Sequence, residues 1–120
     1  MGPSRMNDRA RSLLASLPEL KDALPVFAVE LARARRYDRP LSVISAPVLA
    51  LDPEQVPLRV TDVAAKTTDG RVIALLIETD NDEADALAER VLRGDTRADV
   101  RTATFGKDAL TLDDLLSAVE

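Results

Sequence analysis

The chain has 120 residues and a formal charge of −5; the length suits one domain, and the sign excludes general nucleic-acid binding, which needs a basic footprint. There is no cysteine and no histidine, which removes disulfides, thiolate metal sites and the commonest general base. Hydrophobic residues make up 46% and aromatics only 2%, so a core has to be built from Leu, Val, Ile and Ala.

Residues 1–16 read as a tail or a short helix, whose first residues are an expression remnant or a native frayed end, and residues 17–120 read as one domain. Leu13, Leu14 and Leu17 make one amphipathic turn before Pro18. Pro25 sits where a helix starts without loss, because the first turn does not use its missing N–H. Phe27, Ala28, Leu31 and Ala34 then recur at helical spacing and predict a helix over 25–37. Arg33, Arg35 and Arg36 suit the negative end of its dipole. A solvated face explains them more simply than an anion site. Arg39-Pro40 breaks the helix, 41–46 (LSVISA) reads as a strand limited by Pro47, and Asp52-Pro53 opens a single helical turn ended by Pro57.

The stretch 59–78 organises the rest. Strands over 60–65 and 71–78 flank Thr67-Thr68-Asp69-Gly70. Asp-Gly between apolar runs signals a hairpin, since both residues tolerate the positive φ of a tight turn. The near-continuous run Val72, Ile73, Leu75, Leu76, Ile77 implies burial on both faces, so helices should cover the sheet. Thr79 to Glu83 supply caps and acids for a helix over 82–93, with Ala84, Leu87, Ala88, Val91 and Leu92 as its buried stripe. A strand over 100–105 follows, and Thr111 caps a last helix over 112–119. The order helix, strand, hairpin, helix, strand, helix predicts an α/β (α+β) domain with a central, mainly antiparallel sheet and packed helices. The hairpin is expected in its middle, flanked by 41–46 and 100–105. No apolar run is long enough for membrane insertion and no signal peptide is visible, so a cytoplasmic location is expected.

Residues 27–40 (FAVELARARRYDRP) with Leu41-Ser42-Val43, then Arg59-Val60-Thr61-Asp62, then Ile77-Glu78-Thr79-Asp80 with Leu87-Ala88-Glu89-Arg90, and finally 102–104 and 110–118, follow one another in an order and spacing that resembles a GGDEF domain, the diguanylate cyclase family. The departures are specific. Where that family has Gly-Gly-Asp-Glu-Phe, this chain has Thr68-Asp69-Gly70-Arg71-Val72, with arginine in place of an acid. Where the family places metal-binding aspartate there are Pro47 and Leu49. The substrate-contacting helix between the first strand and the RxxD segment is mostly missing, and 52–58 is too short to replace it.

Cyclising a nucleotide triphosphate needs divalent metal, and carboxylates to hold it. Asp69 alone in a turn is weak equipment, no phosphate-cradling glycine pattern occurs, and capping accounts for Asp80, Asp82 and Glu83 better than calcium does. The expectation is a catalytically inactive, degenerate GGDEF-like module without cofactor, acting in signalling through a protein partner or as a homodimer. The resemblance implies an alternative. RxxD is the family's inhibitory site for the product, cyclic di-GMP, so Arg59 and Asp62, with Lys66 beyond them, are candidate ligand residues. A guanidinium fork can address phosphate or guanine, and a carboxylate can accept from the guanine edge. The plainer alternative has Asp62 bracing the hairpin and Arg59 on the surface. Arg101 is a further cation that the sequence does not place.

Overall fold

A computed structural model describes residues 12, 15–47, 63–94 and 96–119. Helix α1 (Leu20–Tyr37) leads into β1 (Leu41–Pro47), followed by β2 (Val63–Lys66), β3 (Arg71–Ile77), α2 (Asn81–Gly94), β4 (Arg101–Thr104) and α3 (Leu112–Val119). The strands form one sheet in the order β2-β3-β1-β4, and every neighbouring pair is antiparallel. This is the strand order of a split βαβ arrangement.

Within the described residues the expected elements are present, but the hairpin is not in the middle of the sheet; Leu13 and Leu14, the turn at 52–57 and residues 60–62 of the first hairpin strand lie outside the described residues. Only its second strand is central; β2 forms an edge, and β1 and β4 both lie beyond β3. Burial explains this. Six consecutive residues of β1, Leu41 to Ala46, are buried, as are Val72 to Leu76 in β3. A strand buried on both faces belongs inside a sheet, and β1 meets that condition as fully as β3.

The two faces carry separate cores. On one, Phe27 and Leu31 of α1 and Leu115, Leu116 and Val119 of α3 pack with Leu41, Val43, Ile73 and Leu75. On the other, Ala84 of α2 packs with Ile44, Ala74 and Leu76, while Val91 packs with Ala46. Leu87 is only partly buried, packed against both clusters of that second face. Two buried hydroxyls join the layers: Ser42 Oγ donates to the Thr79 carbonyl at 2.9 Å, which leaves Thr104 Oγ1, 2.9 Å from Ser42 Oγ, to act as donor in their contact.

Local chemistry fixes the ends of the elements. α1 begins at Leu20, not Pro25, which lies inside it. Pro25 leaves the Lys21 carbonyl without its helical partner, but both residues are exposed, so water can satisfy that oxygen. Asp38, in the left-handed region at φ 52°, ends the helix. Asp80 and Glu83 form a capping box at α2, with Glu83 N–H donating to Asp80 Oδ1 at 2.9 Å and Asp80 N–H to Glu83 Oε1 at 3.2 Å. Thr111 caps α3 through the Asp114 N–H at 3.1 Å. At the outer edge of β2 the Lys66 N–H donates to the Pro18 carbonyl at 2.8 Å, so the segment before α1 covers part of that edge.

Candidate functional site

The hairpin turn is built differently from the expected two-residue form. Thr67 pairs with Arg71, its N–H donating to the Arg71 carbonyl at 2.9 Å, and only Gly70, at φ 83°, has positive φ within the loop. This is a three-residue loop with glycine at its left-handed position. Thr67 Oγ1 accepts from the Arg71 N–H at 3.1 Å and donates to Asp69 Oδ1. That bond from Thr67 is the main cause holding the Asp69 carboxyl below its usual range.

A cleft of about 820 Å³ opens between this turn and the N-terminal end of α1. Glu19 and Lys21 border it on the helix side, Lys66, Thr67, Asp69 and Arg71 on the hairpin side, with Ser45 and Ile73 between. Register sets Arg71 opposite Pro47 at the end of β1. The Arg71 side chain is only 16% exposed. Its Nε donates to Ser45 Oγ at 3.0 Å and one terminal nitrogen to the Asp99 carbonyl at 2.7 Å. The other terminal nitrogen lies 3.6 Å from the Asp99 carboxylate. Asp99 is also forked by Arg101, at 3.0 and 2.8 Å. Arg71 is thus fixed across the end of β1 by a residue preceding β4, a brace that sequence spacing gives no means of finding.

These residues do not fit a divalent cation. Pro47 offers no ligand side chain, Arg71 places a positive charge beside it, and among the described residues no three carboxylates gather.

Of the residues singled out for ligand binding, Lys66 borders the cleft. Arg59 and Asp62 lie outside the described residues, as does Leu49. Arg101 is not a neighbour of Lys66: it stands on the opposite edge strand, with β3 and β1 between, and its guanidinium is committed to Asp99. The arginines ending α1 are dispersed. Arg35 donates to the Leu110 carbonyl at 2.7 Å and stacks over Phe105, Arg33 pairs with Glu30, and Arg36 lies over Tyr37. A smaller cavity of about 240 Å³ lies at the opposite end of β1 and β3, where Arg39 meets Glu78 at 3.8 Å.

No protein-family model matches the chain, and no curated protein matches it. Solved structures do. The isolated GGDEF domain of YfiN (TpbB) from Pseudomonas aeruginosa superposes with a TM-score of 0.72 at 17% identity, covering 88% of this chain and 81% of that one. The active GGEEF domain of a diguanylate cyclase from Vibrio cholerae gives a TM-score of 0.72 at 15% identity, covering 87% and 86%. The diguanylate cyclase SiaD from P. aeruginosa, solved in complex with its activator SiaC, gives 0.62 at 15% identity, covering 98% of this chain and 65% of that one. The fold is that of a GGDEF domain.

Proposed function

We propose that this GGDEF-fold chain is a non-catalytic signalling module that works by binding protein, a partner or a second copy, and does not cyclise GTP. Arg71 carries this reading. It stands where the cyclase family has an acid, opposite Pro47, and is fixed there by Ser45 and Asp99. A guanidinium held in that place repels the divalent cations that phosphoryl chemistry requires. SiaD, which shares the fold, is itself seen in complex with an activator protein, which supports a protein-binding role. The purified chain incubated with GTP and magnesium or manganese should release no cyclic di-GMP above a heat-killed control; product above that control overturns the reading.

A receptor for cyclic di-GMP is the second reading, supported by Lys66 beside a cleft that Lys21 and Arg71 also border. It requires calorimetric heat on titration with cyclic di-GMP, and an affinity at least about tenfold weaker in Arg59→Ala, the loss of one charge-assisted contact. Asp62→Asn should weaken binding as well.

A further inference from the structure

Helix α1 buries Ala23, Phe27, Leu31 and Ala34 and leaves an outer face with unusual patterning. Glu19, Asp22, Val26, Val29, Arg33 and Arg36 are all exposed, Val26 by 47% and Val29 by 61%. Their spacing alternates between three and four positions, which keeps them along one side of the helix. The stripe runs from acidic through apolar to basic. It is also its own complement when reversed. Turning a second α1 antiparallel about the midpoint between Val26 and Val29 sets Val26 against Val29, Asp22 against Arg33 and Glu19 against Arg36, each twice by symmetry. Asp22 and Arg33 lie about 16 Å apart along the axis, so both charge pairs form only in this register. A parallel pairing would instead set Asp22 against Asp22 and Arg33 against Arg33. The pairs these residues make within the chain, Glu19 with Lys21 and Arg33 with Glu30, both at 3.4 Å, include an exposed partner and yield easily to new ones.

We infer that the partner of this face is a second copy of the chain, docked α1 against α1 in antiparallel, two-fold symmetric fashion. A self-complementary patch is what an isologous interface demands. The apolar centre supplies attraction, and the charges at either end choose direction and register. The inference rests on the protein-binding reading above and names the partner for it. The two fail separately: cyclic di-GMP made from GTP would remove that reading, whereas the dimer is tested by association alone.

Charge reversal supplies the test. Asp22→Arg sets arginine against arginine in both Asp22–Arg33 pairs, and Arg33→Asp sets aspartate against aspartate, while the Glu19–Arg36 pairs are untouched. Sedimentation velocity across the micromolar range should show the wild type dimerising. Each variant alone should dimerise at least about tenfold more weakly, the effect of two reversed exposed pairs. An equimolar mixture of the two should recover association, because every pair is again opposite in sign. Circular dichroism and melting curves confirm that each variant is folded, and Val29→Asp, at the exposed centre, gives an independent disruption. A wild type that stays monomeric, variants that dimerise undiminished, or a mixture no better than its components would each overturn the inference.

Discussion

Removing the Arg71 guanidinium should destabilise the fold far more than an ordinary surface substitution. In Arg71→Met the aliphatic stem is roughly kept, while three interactions are lost. The bond to Ser45 Oγ ends on a side chain that is 1% exposed, so that hydroxyl loses a charged donor it cannot replace with bulk water. The bond to the Asp99 carbonyl is short, at 2.7 Å. Hydrogen bonds from a charged group contribute about 1.5–3 kcal/mol when well shielded. The carboxylate contact adds only about 0–1 kcal/mol, because Asp99 is half exposed. Allowing for water reaching the Asp99 carbonyl, the loss should be about 2–4 kcal/mol, or roughly 8–16 °C in Tm for a chain of this size. Urea denaturation followed by far-ultraviolet circular dichroism measures it. Arg101→Met is the control: both its bonds go to the same exposed carboxylate, and it should cost less than about 1 kcal/mol. Arg71→Glu, which restores an acid, should be worse than Arg71→Met because it faces Asp99 with like charge. If Arg71→Met costs no more than Arg101→Met, the bracing role is wrong.

Leu75→Ala, in the centre of the first core, should cost about 2–5 kcal/mol in the same denaturation experiment. Leu87→Ala should cost less than Leu75→Ala, because Leu87 is partly exposed. Gly70→Ala meets no steric obstacle but must hold φ near 83°, so a loss of about 1 kcal/mol is expected from backbone strain alone. Asp69 has a depressed carboxyl pKa in the folded chain; its contribution to stability is therefore present above the ordinary carboxylate pKa and lost as pH falls through the folded value. Comparing the acid limb of the stability curve in wild type and Asp69→Asn should show that contribution absent from the variant.

The element order was legible because each element carries its own signal: helical spacing at Phe27 and Leu31, an unbroken apolar run in β3, and Thr111 before α3. Strand order was less so. The run Leu41 to Ala46 contains two serines, which hid its two-sided burial until Ser42 and Ser45 were seen satisfied by Thr104, Thr79 and Arg71. Pro25 was misleading because a proline can be accommodated one turn into an exposed helix surface as well as at its start. At the cleft, Arg71 stood out from sequence as a misplaced cation. Its partners did not, since Ser45 and Asp99 lie 26 and 28 positions away. Arg59 and Asp62, the residues with most to say about cyclic di-GMP, fall outside the described part of the chain.

The Lys66 amide bonded to the Pro18 carbonyl has a consequence for how the molecule breathes. Glu19, the next residue, forms a bridge with Lys66, and its carbonyl takes the Asp22 and Ala23 amides at 3.0 and 3.1 Å. The first turn of α1 and the outer strand of the hairpin therefore share one stretch of backbone. Unravelling either pulls on the other, so both should open in a single local event. Native-state hydrogen exchange would then report one opening free energy for the amides of Ala23 and Lys66, below that of the central strands.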